Sequence, residues 1–240
     1  MNVDMMSQHI SKQYDNELES IRERVLAMGG LVEQQLVHAL KSLVDSDVEL
    51  AESVISSEPE VNTYEVSIDE DCTKILARRQ PAAGDLRLVM AVIKTITDLE
   101  RIGDEAEKVA KMTLDMVNNH GPKEYYISIN AMGNLVRNMV HGALDAFARM
   151  DSKAAVKVAS EEPKSDDMYV ATLRQLITYM MEDPRNITGS IDAVLITRAM
   201  ERIGDHARNI CEYIIYFVEG KDVRHISIEQ MEKEVIPDNS

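Results

Sequence analysis

The chain has 240 residues, 45% of them hydrophobic and 28% charged, which suits a folded protein and is too apolar for a disordered one. Its 42 acidic side chains outnumber 26 Lys and Arg, giving a formal charge of −16 that repels phosphate backbones and argues against nucleic-acid binding. Aromatics reach only 4%, Trp is absent and Met numbers 15, a composition that favours helix-on-helix packing over a sheet. Cys72 and Cys211 form no CxxC pair, so neither a disulfide scaffold nor a zinc knuckle is expected. The N-terminus, MNVDMMSQHISKQYDNELES, lacks the pattern of a signal peptide, and no apolar run approaches the roughly 18 residues of a spanning helix. A cytoplasmic location is expected.

From Ile21 the apolar residues fall at Val25, Met28, Val32, Leu36, Ala39, Leu40 and Leu43, a one-sided helical stripe. Asp45-Ser46-Asp47 interrupts it, with Asp47 placed to cap the next helix. Ser57-Glu58-Pro59-Glu60 reads as a further start, Ser57 capping and Glu60 at the capping-box position. That element runs to Arg78-Arg79 and is broken by Gln80-Pro81-Ala82-Ala83-Gly84-Asp85. A third long helix is predicted from Leu86 to Asn118, closed by Asn119-His120-Gly121-Pro122.

The same plan then recurs. Met28-Gly29 and Leu31-Val32 return as Met132-Gly133 and Leu135-Val136, an offset of 104 (132 − 28). Ala39-Leu40, Asp47 and Pro59 match Ala143-Leu144, Asp151 and Pro163 at that spacing. Glu100-Arg101-Ile102-Gly103-Asp104 recurs intact as Glu201-Arg202-Ile203-Gly204-Asp205, at an offset of 101 (201 − 100). The three-residue shortfall is placed in the loop around Pro184 to Gly189. Ordered anchors over this length mark an internal duplication. The predicted fold is all-α, two tandem three-helix bundles spanning residues 1–119 and 120–240, joined at Asn119 to Lys123. The segment after Gly220 is expected to be a polar, peripheral tail.

The repeated pentapeptide carries the chemistry. Glu100 and Asp104, like Glu201 and Asp205, are four apart on a helix, so each pair stacks two carboxylates on one face. Leu99, Ile102, Ala106 and Ala110 form the buried stripe beside the first pair. Gly103 and Gly204 sit mid-helix, where glycine costs about 1 kcal/mol relative to alanine, and imply close backbone approach or access beside the acids. Arg101 and Arg202 can neutralise carboxylates or bind an anion. As a solvated face, the same segments would pair Asp104 with Lys108, Glu107 with Lys111 and Asp205 with Arg208. As a metal site, bare carboxylates favour hard cations such as Mg²⁺, Mn²⁺ or iron. His206 offers a nitrogen ligand in the second copy, but is expected at the surface. On the preceding helix Glu65 and Asp69 form another acid pair able to face the first site. Their equivalents, Tyr169 and Leu173, are not acidic, and Asp166 with Asp167 lie one turn earlier. The two sites should therefore differ, the second being the less complete.

These residues resemble the PhoU family of phosphate-uptake regulators. The likeness rests on Met28-Gly29-Gly30-Leu31-Val32-Glu33-Gln34-Gln35-Leu36, on Arg79-Gln80-Pro81 with Asp85-Leu86-Arg87, and on the paired ERIGD segments, and extends to about Val218. The resemblance implies two three-helix bundles bearing metal clusters, with iron, zinc, magnesium or manganese as the ion. It implies a dimeric negative regulator of the phosphate regulon that is not an enzyme. Its partners would be the PstB-type ATPase of a phosphate-specific ABC transporter and a PhoR-type sensor histidine kinase, so that it meets the membrane only through them. Mapped here, the implied ligands are Glu65, Asp69, Glu100 and Asp104 in the first copy and Asp166, Glu201 and Asp205 in the second.

Two other readings compete. A ferritin-like di-iron enzyme also places carboxylates in a helical bundle, but it wants Glu-x-x-His, and none of the six histidines has Glu three residues before it. A metal-independent helical adaptor differs only in that its acid pairs bind nothing.

Overall fold

The computed structural model describes residues 12–119 and 125–236. The junction expected at Asn119 to Lys123 falls largely on residues 120–124, outside the described residues. In chain order the helices are α1 (Lys12–Asp45), α2 (Val48–Arg79), α3 (Ala83–Asn119), α4 (Tyr125–Arg149), α5 (Ser152–Ala159), α6 (Glu162–Glu182), α7 (Ile187–Glu219) and α8 (Ile228–Val235). A 3-10 turn, Pro184–Asn186, precedes α7. No strand occurs among the described residues, and none of their helices is long and apolar enough to cross a membrane.

The first copy is the bundle α1–α3; α4–α7 is the second, with α5 and α6 together replacing α2. Both copies begin their middle element with the same cap. Asp47 Oδ1 accepts from the Leu50 amide at 3.0 Å, and Asp151 Oδ1 from the Ala154 amide at 2.9 Å. The duplicated proline then acts differently in each. Pro163 sits in the first turn of α6, where its missing N–H is one of the orphan donors anyway. Pro59 instead lies inside an unbroken α2, so the helix start expected at Ser57 does not form. Ser57 Oγ donates back to the Val54 carbonyl at 2.8 Å rather than capping. Val54 and Val61, two turns apart on either side of Pro59, are both 1% exposed. Burying two such side chains gains about 1.5–3 kcal/mol each, enough to offset the roughly 3 kcal/mol that an interior proline costs. Ser165 stands where Val61 stands in the first copy, so α6 has no such tie across its proline.

The two copies meet along two helix pairs, α3 with α7 and α1 with α4, both antiparallel. Between α1 and α4, Leu144 fills the space over Gly29 and Leu40 fills the space over Gly133. Each pair is the other shifted by the repeat offset (133 − 29, 144 − 40), so the duplication in sequence is a pseudo-two-fold relation in space. Along α3 and α7, Arg87 lies against the Phe217 carbonyl, Lys94 over the Tyr213 ring, and Asp98 against His206. Arg202 and Glu105 pair at 2.9 Å further along. This direction of travel sets the two ERIGD segments beside one another near the middle of the molecule. Leu99, Ile102, Ala106 and Ala110 are wholly buried, as their spacing predicts.

The tail corrects the expectation of a polar periphery. Gly220 ends α7 with φ of 70°, a conformation open to glycine. Ser227 and Gln230 then form a reciprocal capping box for α8. Met231 and Val235, one turn apart, are buried against α5, and Val223 is buried as well. With Ile226 and Ile228 packed partly buried beside them, these few apolar residues dock an otherwise polar segment. Cys72 and Cys211 are buried and free; burial pushes the Cys72 thiol up to about 12 and raises that of Cys211 too.

Candidate metal centres

The tightest carboxylate cluster lies in the second copy. Glu162 and Asp166 reach it from the first turns of α6, and Asp205 from α7; one oxygen of each lies within 4.8 Å of the others. Glu201, one turn before Asp205, stands beside this trio, with Asp205 and Asp166 acting on its carboxyl. Its Oε1 accepts from Arg198, while its Oε2 is buried with no hydrogen-bond partner, the whole residue being 9% exposed. A carboxylate oxygen stripped of water and given no donor is a costly arrangement unless a cation meets it. The donor set, four carboxylates from two helices, fits a hard cation.

Electrostatics point the same way. Burial raises the carboxyl groups of Glu201 and Asp205, and their acidic neighbours raise them further: Asp205 acts on Glu201, and Asp166 on Asp205. Burial raises Glu162 as well, offset in part by Arg208. Arg208 makes no ion pair with Asp205, as a solvated face would require, and acts on it only as a nearby charge. It pairs with Glu162 at 2.9 Å and with Glu212 at 3.2 Å. His206 does not lie at the surface. It is 7% exposed and turns toward α3, its Nδ1 2.6 Å from Asp98 Oδ1. Gly204 supplies close approach: a Cβ there would lie 3.2 Å from Ser165 Oγ and 3.5 Å from Val136 Cγ1, so its absence lets α6 bring its acids onto α7.

A carboxyl raised in the folded state binds its proton more tightly there than in the unfolded chain. The cluster is therefore most favourable below the ordinary carboxylate range, and its contribution falls as pH rises through the raised values. At pH 7 the metal-free protein carries the repulsion. Asp205→Asn should accordingly stabilise the metal-free protein by a few tenths to about 1 kcal/mol at pH 7, with a smaller gain near pH 5. Metal at about a hundred times its dissociation constant should add about 2.7 kcal/mol to the wild type and far less to the variant. Thermal unfolding with chelator and then with Mn²⁺, at both pH values, checks this; a variant less stable than wild type without metal would oppose it.

The first copy is arranged differently. Burial raises the Glu100 carboxyl, as do Asp104, Glu65 and Glu58 in that order. Glu65 thus approaches the site, accepting from Thr97 Oγ1 at 3.2 Å. Asp69 is exposed and lines a groove with Glu65, Ile96 and Thr97, a turn beyond the pair. At the level of Glu162 and Asp166 the first copy has Glu58 and Asn62, and Asn62 donates to Glu58. The only convergent trio of carboxylates among the described residues is therefore in the second copy. Glu162 is the residue that sequence reasoning missed. Its signal was there: Glu162 and Asp166 are four apart across Pro163, at the repeat offset from Glu58 and Asn62. Around the pentapeptides, Lys111 pairs with Glu107 at 2.7 Å as expected, but Lys108 pairs with Glu105 at 2.9 Å, leaving Asp104 to face Glu100. Gly103 would place a Cβ 3.1 Å from Gln35 Oε1, a buried atom that itself lacks a partner.

Fold and site together define a duplicated helical bundle whose third long helices carry paired carboxylates at the same place in each copy. Comparison with known proteins adds the family: the PhoU domain matches residues 25–113 and again 129–214, and the chain belongs to the PhoU family. It is 48% identical over 235 residues to a phosphate-specific transport system accessory protein PhoU homolog of Pseudomonas aeruginosa, covering 98% of this chain and 97% of that protein. It is 47% identical over 229 residues to the phosphate-specific transport system accessory protein PhoU of Escherichia coli K12, covering 95% and 94%. The crystal structure of PhoU from P. aeruginosa superposes with a TM-score of 0.85 at 47% identity, over 87% of this chain and 100% of that one. That of the phosphate transport system regulatory protein PhoU from Streptococcus pneumoniae gives 0.80 at 29% identity, over 88% and 99%.

Proposed function

We propose that this chain is an accessory protein of a phosphate-specific transport system and a negative regulator of the phosphate regulon. In this reading it works in the cytoplasm as a homodimer, without a catalytic step of its own. The observation that carries it is the near-complete alignment with relatives named as phosphate-specific transport accessory proteins, matched along 97% and 94% of their own lengths. The partners are a PstB-type transporter ATPase and a PhoR-type sensor histidine kinase. Each copy of the repeat serves as one bundle, and metal on Glu162, Asp166, Glu201 and Asp205 holds α6 against α7. In the first copy Glu100 and Asp104, with Glu65 and Glu58 opposite, are the corresponding candidates; Asp69 is peripheral to them. The metal, whether iron, zinc, magnesium or manganese, supplies charge neutralisation and a cross-link between helices. Signalling is then a shift in which partner the rigid, acidic surface holds.

The test is co-purification of the tagged chain from phosphate-replete and phosphate-starved cells. The ATPase and the kinase should be recovered in proportions that change with phosphate supply. An unchanged partner set, or recovery of neither, would refute the proposal.

A further inference from the structure

A cavity of about 500 Å³ opens beside the second carboxylate cluster, with Glu162 and Asp205 in its wall. Four arginines converge on it: Arg198, Arg202 and Arg208 from α7, and Arg224 from the segment between α7 and α8. In a chain with 42 acids and 26 Lys and Arg, a wall where four arginines meet three acids, Glu162, Asp205 and Glu212, is a local excess of guanidinium groups. Asn209 and His225 add further polar groups to the wall, and no apolar side chain lines it.

Each arginine is already positioned by an acid: Arg198 by Glu201, Arg202 by Glu105, Arg208 by Glu162 and Glu212, and Arg224 by Asp222. A guanidinium has five N–H donors, and these pairs use only some of them. The side chains are held in place while donors remain for a ligand, the pre-organisation that makes Arg suited to planar recognition of phosphoryl oxygens. Without metal the acids of the wall offset much of this positive charge. With a cation on Glu162, Asp166 and Asp205 that offset is reduced to Glu212 and the acids outside the wall, and Glu162 no longer serves Arg208 alone.

We propose that this cavity is an anion site for a phosphoryl group, formed by Arg198, Arg202, Arg208 and Arg224, whose affinity is raised by metal on the adjoining carboxylates. The inference rests on the metal reading given above. By reciprocity the anion also tightens the metal. With no aliphatic, Phe, Tyr or Trp side chain in the wall, the cavity favours free orthophosphate over a nucleotide, whose base would find no such surface to pack on.

The test uses the full chain, loaded with Mn²⁺ to a content fixed by elemental analysis, and calorimetric titration with orthophosphate. Orthophosphate should bind the Mn²⁺-loaded protein clearly more tightly than the chelated one. Arg202→Gln/Arg224→Gln should weaken it about tenfold or more while leaving Mn²⁺ content unchanged. If that double variant fails to fold, Arg224→Gln alone serves, because its ion pair with Asp222 is local to one exposed segment. A parallel titration with adenosine triphosphate assigns the source, since tighter binding than orthophosphate would mark a phosphate ester as the ligand. Mn²⁺-loaded protein that binds neither, or a variant that binds as well as wild type, would overturn the anion site and leave the metal centre standing. Protein that takes up no Mn²⁺ would overturn both, and the elemental analysis separates the two failures.

Discussion

Asp98→Ala is expected to lower the unfolding free energy by about 3–5 kcal/mol, the usual cost of removing one member of a buried charged network. Asp98 lies on α3 and is 4% exposed. Its Oδ1 is 2.6 Å from His206 Nδ1 and accepts from Asn209 Nδ2 at 3.2 Å. The Tyr213 hydroxyl bonds to the same carboxylate, and burial first, then the Asp98 charge, raise that phenol above its ordinary value. All three partners belong to α7, so one side chain of the first copy organises the polar contact with the second. Alanine would leave a buried imidazole and a half-buried phenol without their acceptor. Asp98→Asn keeps one carbonyl acceptor and should cost about half as much. Urea denaturation of both variants gives the comparison. A loss below about 1 kcal/mol for alanine would mean that this polar cluster contributes little to holding the two copies together.

Gly133→Val should destabilise by about 2–3 kcal/mol, through overpacking at the other contact between the copies. A Cβ at Gly133 would overlap a methyl of Leu40 and lie 3.1 Å from its Cδ1 and 3.2 Å from its Cγ. Leu40 is 6% exposed and has little free volume to move into. Leu40→Ala in the same chain should recover part of the loss, a coupling of at least about 1 kcal/mol in a double-mutant cycle. Gly29→Val with Leu144→Ala should behave alike, because Leu144 Cδ1 and Cγ lie 3.1 and 3.3 Å from the corresponding position. Strictly additive losses in both cycles would contradict the interlocked packing. Similar coupling in the two cycles would show that the pseudo-two-fold relation is energetic as well as geometric.

Much of this architecture was legible before any coordinates. The spacing from Ile21 to Leu43 marks the buried face of α1, and Asp47 and Asp151 act as the caps their positions suggest. The repeat was legible from Gly29 and Gly133, although their reason, a leucine from the other copy over each, needed three dimensions. Local signals failed where long-range burial decided. Pro59 reads as a break, but the buried Val54 and Val61 on either side carry α2 through it. The polar segment after Gly220 hides Val223, Met231 and Val235 among charged residues. His206 follows an acidic ligand candidate and reads as exposed, yet one residue of helical rotation turns it to Asp98. The carboxylates on α3 and α7 were found from their repetition. Their partners on α2 and α6 were harder, because nothing in the sequence says which turn of one antiparallel helix faces which turn of the next. Helical spacing therefore pairs Asp69 with Glu65 beside the ERIGD acids, whereas the structure brings in Glu65 and Glu58 and leaves Asp69 exposed, and spacing points to Asp166 without Glu162.

The most direct test is elemental analysis of untagged protein after equilibration with Mn²⁺, Zn²⁺ or Fe²⁺ and exhaustive dialysis. Two variants belong beside the wild type: Glu201→Gln/Asp205→Asn in the second copy, and Glu100→Gln/Asp104→Asn in the first. The wild type should retain metal, the second-copy variant should lose the more tightly held portion, and the first-copy variant should keep it. Wild-type protein that retains no metal, or a second-copy variant loaded as fully as the wild type, would contradict a metal centre on Glu162, Asp166, Glu201 and Asp205.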